Sequence, residues 1–320
     1  RASRTIFRPY QFRPVLRLLE SGMLNLLVAD EVGLGKTIEA GLIWTELEAR
    51  QQANQVLVVC PSMLVPKWRA EMQERFDFEL EELTRESLNE FLVRLEEDRL
   101  PQRFHAIVSV ERLRTWPGLE RAAELCPRFD LVIADEAHIF RNATTKSFAL
   151  GSLLSDWSEA LVFLSATPLN LGNKDLYNLL QLLAPGDFEN VAILESRLEP
   201  NAVLNRLSAG LFDNNQTPSK RAELIQTLDL MKFGPITRSR PECQELEVLL
   251  RKDELSPSDK ANAKRLISSL HALSTVVTRT RKVEVQDKKS VRSAQQIIVK
   301  WTPEEAALYL AIEKWQMNRA

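Results

Sequence analysis

A short apolar run followed by a glycine-rich turn constrains the fold of this 320-residue chain more than any other feature. Residues 25–29, Asn-Leu-Leu-Val-Ala, have the composition of a buried parallel strand. A turn over residues 33–35 follows, and Lys36 and Thr37 then open a helical pattern that extends to residue 50. This order places backbone N–H groups and the start of a helix around one point, an arrangement that binds phosphate.

The residues of this turn predict a nucleotide site. In a phosphate loop, Lys36 would reach the β- and γ-phosphates, and the Thr37 hydroxyl would hold Mg²⁺. Asp30 stands where the G-x-x-x-x-G-K-[ST] pattern has its first glycine, so on this stretch alone an ordinary glycine turn before a helix remains an alternative. The expected nucleotide-binding residues of the loop are Gly33, Leu34, Gly35, Lys36, Thr37 and Ile38.

A second motif lies at residues 129–136, where an apolar run ends in Asp135 and Glu136. Carboxylates at the carboxyl end of a central strand lie beside the phosphate loop in open α/β sheets. Asp135 would orient Mg²⁺ through its water shell, and Glu136 would accept a proton from the attacking water. An exposed acidic turn would not need an apolar strand before it. The two motifs together therefore predict an ATPase with Mg²⁺ as cofactor, in which Lys36, Asp135 and Glu136 are catalytic.

Strand-like and helix-like segments alternate along residues 1–188. Short apolar strands are predicted at 26–29, 56–60, 106–109, 131–134 and 161–164, and helices at 12–21, 37–50, 63–75, 145–155 and 173–183. Such alternation is typical of an α/β fold with a doubly wound parallel sheet. Right-handed crossovers place the loops after the strands on one edge, which brings the phosphate loop, Asp135 and Glu136 together with residues 165–167.

The pattern changes after Phe188. Residues 189–285 have few strand signals and show helical spacing at 202–209, 219–231 and 258–277, with Pro218 and Pro257 as start signals. A strand at 294–301 and a helix at 303–315 are predicted to follow. The sequence therefore predicts three parts: an ATP-binding lobe at 1–188, a mainly helical insertion at 189–285, and a linker at 286–320 towards a second lobe that the chain lacks.

Several blocks of the chain resemble those of one known family. Asp135-Glu136-Ala137-His138, a DEAH box, is preceded by a phosphate loop and followed by Ser165-Ala166-Thr167-Pro168, which is similar to the superfamily 2 helicase-like ATPases. Asp30 narrows the resemblance to the Swi/Snf-type DNA translocases, in which an acidic residue commonly replaces the first glycine. The sequence of residues 31–41 most resembles that of the bacterial, RapA-like members.

The resemblance implies a RecA-like P-loop lobe and assigns further residues. Arg8 and Gln11 would belong to the block in which a glutamine reads the adenine edge, a task that suits an amide with both a donor and an acceptor. The residues expected to contact nucleic acid, or to couple it to the ATP site, are Pro61, Ser62, Lys67, Ser109, Ser165 and Thr167. Plainer interpretations remain: Gln11 on the surface of an amphipathic helix, Ser109 as a helix cap, and Ser165 with Thr167 as a strand-end turn. Trp68 is expected in the core.

Composition and charge limit the kinds of partner that the chain can have. No apolar run approaches the length of a membrane span, so no membrane partner is expected. Cys60, Cys126 and Cys243 are widely separated and odd in number, which predicts a reducing cytoplasm and no zinc site. The net charge of −2 lacks the basic excess typical of DNA-binding proteins, but residues 260–300 hold ten bases and two acids. That stretch either follows a phosphate backbone or is a solvated face; residues 71–99, with eleven acids and four bases, predict a solvated helical face.

The resemblance implies ATP hydrolysis coupled to movement along double-stranded DNA, with remodelling of protein–DNA complexes. Expected partners are duplex DNA, a second RecA-like lobe whose arginines would complete the site, and a DNA-bound protein such as RNA polymerase or a defence complex. A prokaryotic protein of this kind would associate with the nucleoid. The chain alone is expected to bind nucleotide weakly and to hydrolyse it very slowly, because it has one phosphate loop and no second βα series.

Two alternatives remain open. One is a strand-separating helicase or a restriction-type or defence-system translocase, which would handle DNA differently. The other is a nucleotide-dependent adaptor that binds ATP without hydrolysing it. The presence of both Lys36 and Glu136 argues against an adaptor, since a binding module could dispense with the base.

Overall fold

A seven-stranded parallel sheet lies at the centre of the larger of two units in the chain. The computed structural model describes residues 7–22, 24–166, 172–211, 217–282, 285 and 301–317. Residues 1–285 form the first unit and residues 286–320 the second. The described part of the second unit contains the helix Pro303–Met317.

The strands run in one direction, so their carboxyl ends share one edge of the sheet. In chain order they are β1 (Leu26–Val28), β2 (Gln55–Cys60), β3 (Glu81–Glu82), β4 (Phe104–Ser109), β5 (Phe129–Ala134), β6 (Ser158–Leu164) and β7 (Val277–Thr278). Their order in the sheet is β3-β4-β2-β5-β6-β1-β7. β1 therefore lies between β6 and β7, with Leu27 beside Phe163 and Val277.

Both faces of the sheet are buried. Successive strand residues point to opposite faces, so each strand contributes side chains to both cores. In β2, Leu57 and Val59 belong to one apolar core, and Val56 and Val58 belong to the other. Strands buried on both faces are continuously apolar, which is why the Leu-, Val- and Ile-rich runs of the sequence predict them.

Helices cover each face. They are α1 (Arg13–Ser21), α2 (Lys36–Ala49), α3 (Val65–Phe76), α4 (Arg85–Glu96), α5 (Val110–Arg114), α6 (Leu119–Leu125), α7 (Lys146–Asp156) and α8 (Asn173–Leu183). The core on one face includes residues of α1, α2 and α3, and the core on the other includes residues of α4 to α8. This is the doubly wound α/β arrangement predicted from the sequence.

The strands and helices predicted for residues 1–188 are all present, with bounds within three residues of the prediction. The prediction missed β3 and β7, which are two residues long and too short to show a periodic pattern. It also missed α6, and it indicated α5 only through the interpretation of Ser109 as a helix cap. The acid-rich stretch at 71–99 is only partly the helical face that was predicted, because β3 separates α3 from α4 and Thr84 caps the start of α4.

Residues 191–211 and 217–270 form a helical segment between α8 and β7, with a core of its own. Its helices are α9 (Val191–Gly210), α10 (Pro218–Gln226), α11 (Gly234–Ser239), α12 (Pro241–Leu250) and α13 (Pro257–Leu270). Pro218 and Pro257 each occupy the first position of their helix, as predicted, and Thr217 and Ser256 cap those helices with their hydroxyls. The chain then re-enters the sheet at Val277.

The helix predicted at 303–315 is present as α14 (Pro303–Met317). The strand predicted at 294–301 lies outside the described residues except for Trp301, and Thr167 of the predicted site also lies outside them. The division at residues 188 and 285 stays a prediction. Across the described ranges, no helix combines the length and the apolar character needed to cross a membrane.

Candidate nucleotide-binding site

The loop between β1 and α2 needs glycine at two positions. Gly33 and Gly35 have φ values of +88° and +92°, a region that residues with side chains rarely adopt. A Cβ atom on Gly35 would also lie 2.7 Å from Nε2 of Gln11. Gly35 directly precedes the first turn of α2, so the turn and the helix N-terminus meet at one point, as in an anion-binding loop.

Lys36 and Thr37 occupy the first two positions of α2, where free N–H groups carry partial positive charge. Lys36 Nζ donates a 3.0 Å hydrogen bond to the backbone oxygen of Asp30, which holds the ammonium group against the loop. Both side chains are half-buried, whereas Ile38 packs against the apolar core below the loop. A phosphate group here would therefore meet an ammonium group, a hydroxyl group and backbone N–H groups.

Gln11 lies under the loop instead of on an exposed helix face. It belongs to a short 3₁₀ helix, Pro9–Phe12, and its side chain is buried. Gln11 Nε2 donates to the backbone oxygen of Leu34 at 3.0 Å, and Gln11 Oε1 accepts from the backbone N–H of Arg8 at 2.9 Å. The amide thus ties the segment before α1 to the phosphate loop. Adenine recognition by Arg8 and Gln11 stays a prediction.

Asp135 follows β5 and is held from two sides. Its Oδ2 accepts a 2.8 Å hydrogen bond from Nε1 of Trp68, and its Oδ1 accepts one of the same length from the backbone N–H of Glu136. The Asp135 side chain is buried, and its backbone N–H continues the ladder to Val59. Since each carboxylate oxygen accepts one bond, each keeps lone-pair capacity for water on a metal ion.

Glu136 has an unusual backbone conformation. Its φ of +51° and ψ of +43° lie in the left-handed region, which costs about 1 kcal/mol or more for a residue with a side chain. The residue starts the 3₁₀ helix Ala137–Phe140, and its half-buried carboxylate lies 3.0 Å from Nδ1 of His138. The bend turns Glu136 away from the strand direction and leaves its carboxylate at the edge of the sheet.

These residues fit ATP and Mg²⁺. Mg²⁺ prefers oxygen ligands and usually keeps several waters while binding one or two protein oxygens together with phosphates. The Thr37 hydroxyl and the Asp135 carboxylate supply oxygens of this kind at one edge of the sheet. Within the described residues, no group of three His, Cys, Asp or Glu side chains is placed to hold a metal ion.

A family model described as the SNF2-related domain matches residues 14–320. The chain belongs to the SNF2-related family. It is 33% identical over 178 residues to the uncharacterized ATP-dependent helicase YqhH of Bacillus subtilis, an alignment that covers 56% of this chain and 29% of the relative. It is 30% identical over 241 residues to the RNA polymerase-associated protein RapA of Actinobacillus succinogenes, which covers 73% of this chain and 25% of the relative.

The solved Sulfolobus solfataricus SWI2/SNF2 ATPase core in complex with double-stranded DNA matches the fold. The TM-score is 0.52 with 18% identity, and the match covers 99% of this chain and 53% of that one. These findings confirm the predicted family and the RecA-like α/β fold of the SNF2-related chain. The alignments span between a quarter and a third of the length of the curated relatives.

Four of the residues predicted to contact nucleic acid in this SNF2-related chain lie at the carboxyl ends of three strands, at the same edge of the sheet. Pro61 and Ser62 follow β2, Ser109 ends β4, and Ser165 follows β6. Lys67 is exposed on α3, but Ser109 and Ser165 are buried, and the Ser109 hydroxyl accepts a hydrogen bond from Arg112 N–H at the start of α5. Ser109 therefore acts as the helix cap that was the plainer interpretation. The nucleic-acid roles stay predictions.

Asp30 and Glu39 form a buried carboxyl pair beneath the phosphate loop of the SNF2-related chain. Both side chains have no exposed surface, and both Glu39 oxygens and Asp30 Oδ2 accept no hydrogen bond from any N–H or O–H donor that the structure describes. Burial, followed by the neighbouring Asp30 carboxylate, raises the pKa of Glu39 to about 10. Glu39 is therefore a neutral acid at pH 7, and its proton can bridge the two carboxyl groups.

Sequence reasoning missed three features of the site. A charged residue in a helix is usually exposed, so Glu39 gave no signal of its burial. Trp68 was expected in the core, where it does lie, but its hydrogen bond to Asp135 joins two segments far apart in sequence. Asp30 Oδ1 accepts a 2.8 Å hydrogen bond from the backbone N–H of Thr280, which only the pairing of β7 with β1 makes possible.

Proposed function

We propose that the chain is the ATP-binding lobe of an ATP-dependent translocase that moves along double-stranded DNA and remodels protein–DNA complexes. One observation carries the proposal: Lys36 and Thr37 at the start of α2 lie at the same sheet edge as Asp135 and Glu136 after β5. Membership of the SNF2-related family supports ATP hydrolysis as the chemistry of that edge.

Each side chain has a distinct task in this proposal. Bound ATP and Mg²⁺ supply the phosphoanhydride and the charge that neutralises its oxygens. Lys36 and the N-terminus of α2 stabilise the phosphates, and Thr37 and Asp135 hold the Mg²⁺ shell. Glu136 accepts the proton of the attacking water, and Trp68 keeps Asp135 in one orientation through its indole N–H.

Duplex DNA as the track is supported by the Sulfolobus solfataricus match, whose title states a complex with double-stranded DNA. A DNA-bound protein as the target is supported by the name of the RapA relative, which states an association with RNA polymerase. Because the alignments cover 29% and 25% of the two relatives, a second RecA-like lobe in the whole protein also belongs to the proposal. The isolated chain would then hydrolyse ATP very slowly.

The test is the ATPase rate of the full-length protein without DNA, with single strands and with duplex. Duplex should stimulate turnover most. Glu136→Gln should keep nucleotide binding and block hydrolysis, and Lys36→Ala should remove binding or turnover. Glu159→Gln is a matched control, because Glu159 is exposed at the start of β6, at the opposite end of the strands. Normal hydrolysis by the Glu136 variant would refute its assignment as the base.

Two further assays separate translocation from the alternatives. Displacement of a third strand from a triplex without separation of a duplex supports movement along double-stranded DNA. Separation of the duplex identifies a helicase, which is also the word in the name of the YqhH relative. ATP binding without turnover under every DNA condition identifies a nucleotide-dependent adaptor.

A further inference from the structure

The segment after the helical insertion runs alongside the phosphate loop. The pairing of β7 with β1 continues past both strands: Leu27 N–H donates to Val276 O at 2.7 Å, Ala29 N–H to Thr278 O at 2.8 Å, and Glu31 N–H to Thr280 O at 3.2 Å. A parallel ladder therefore connects the two segments up to the start of the glycine turn.

Two carboxylates extend this connection where the backbone ladder ends. Asp30 Oδ1 accepts from Thr280 N–H at 2.8 Å, and Glu31 Oε2 accepts from Lys282 N–H at 3.1 Å. Hydrogen bonds from N–H groups to carboxylates are stronger than those to neutral acceptors. The backbone of residue 282 is thus held beside the loop by the same residues that start it.

Lys282 extends its ammonium group over the glycine turn. A Cβ atom built on Gly33 would lie 3.7 Å from Lys282 Nζ and 3.8 Å from Lys282 Cε, and apart from its chain neighbours it would meet no other atom of the described residues within 4 Å. The ammonium group is exposed, and it makes no hydrogen bond or ion pair with any residue that the structure describes. The Lys282 backbone N–H donates to the Glu31 carboxylate, and Lys36 Nζ donates to the backbone oxygen of Asp30. The cationic side chains of Lys282 and Lys36 therefore both lie at this loop.

We propose that Lys282 is a second phosphate-binding cation, which contacts the polyphosphate chain of the nucleotide from the side of the loop opposite the core. This inference rests on the proposed function, since it assumes that the loop binds a nucleotide. Gly33 has no side chain that could come between Lys282 and a phosphate oxygen. No carboxylate among the described residues pairs with this ammonium group, so its charge can attract an anion.

The experiment measures the affinity of the 320-residue chain for a fluorescent ATP analogue and, by competition, for ATP, with Mg²⁺ present. Lys282→Ala should weaken ATP binding about tenfold, as expected for the loss of one charge-assisted contact. Lys282→Arg should stay close to the parent, because it keeps the positive charge. Lys232→Ala is the control for net charge, since Lys232 is exposed in the helical segment. The loss in Lys282→Ala should shrink as salt is raised, because salt screens an exposed charge.

The outcomes separate this inference from the proposed function. If the parent chain binds no ATP and full-length protein also binds none, the proposed function fails. If the parent binds ATP, Lys36→Ala does not, and Lys282→Ala binds within twofold of the parent, the Lys282 contact alone is wrong. Equal weakening by Lys232→Ala, or by Lys282→Arg, would also overturn it, because the effect would then reflect total charge or backbone disturbance.

Discussion

Replacing Glu39 with glutamine should remove a pH dependence from the stability of this chain. Glu39 lies in the first turn of α2 with no exposed surface, beside the equally buried Asp30. Besides Asp30, the charges that act on it are those of Lys36 and Arg13. A glutamine amide can donate to Asp30, as a protonated acid can, but it carries no ionisable proton.

The direction in which stability changes with pH follows from which state, folded or unfolded, keeps the Glu39 proton. The pKa of Glu39 is raised from 4.5 to about 10 in the folded chain, mainly by burial. Its contribution to stability is complete below pH 4.5 and is lost as the pH rises towards 10, because the unfolded chain releases the proton first. Within this range the free energy of unfolding falls by about 1.4 kcal/mol for each pH unit. Between pH 6.5 and 8.5 the loss is about 2.7 kcal/mol.

This window avoids the other groups with shifted pKa values. Burial lowers the pKa of His271 from 6.5, so His271 changes the stability mainly at pH values below 6.5. Burial raises the pKa values of Cys60 and Cys243 from 9.0 to about 12 and about 11, so their effects fall above pH 9. The carboxyl groups with lowered pKa values titrate below 4.5.

The assay is urea unfolding of the parent, Glu39→Gln and the surface control Glu159→Gln at pH 6.5, 7.5 and 8.5. The parent and the control should lose about 2.7 kcal/mol across the window, and the Glu39 variant should lose little. The variant should therefore gain stability over the parent as the pH rises. Parallel pH profiles for the parent and Glu39→Gln would refute a neutral Glu39 in the folded chain.

Two further substitutions test packing and positioning. Gly41→Ala should destabilise the chain by about 1–3 kcal/mol in urea unfolding, because the new Cβ would lie 2.3 Å from the ring of Phe76; Phe76→Leu in the same chain should recover part of the loss, and an unchanged midpoint would contradict this contact. Trp68→Phe should raise the Mg²⁺ concentration needed for half-maximal ATPase of the full-length protein about tenfold, because Asp135 loses its indole donor. An identical Mg²⁺ dependence would show that the indole N–H does not position Asp135.

Features with a local cause could be predicted from the sequence. The strands after which Gly33, Asp135 and Ser165 lie are continuous apolar runs, and runs of this kind form buried parallel strands. Pro218 and Pro257 fix the backbone angle that the first helical residue needs, so they mark the starts of α10 and α13 correctly. The parallel sheet then places the loops after the strands at one edge without any further information.

Features that depend on distant pairing could not be predicted. β7 has two residues, and its existence depends on the free edge of β1 and on the hydrogen bonds from residues 27, 29 and 31. The burial of Glu39 depends on the packing of α2 over the sheet, and a glutamate in the first turn of a helix is ordinarily exposed. Trp68 fills the core as expected, but its bond to Asp135 exists only once α3 packs against the sheet.

The position of β1 between β6 and β7 also sets the order in which the phosphate loop can be completed. β1 is synthesised before the other described strands of this sheet, and the bond from Thr280 to Asp30 joins residues 250 apart in sequence. Contacts with such separation form slowly, because the closure of long loops costs entropy before the contacts compensate for it. The phosphate loop is therefore among the last parts of the unit to reach its final geometry, after the helical segment between β6 and β7 has been synthesised.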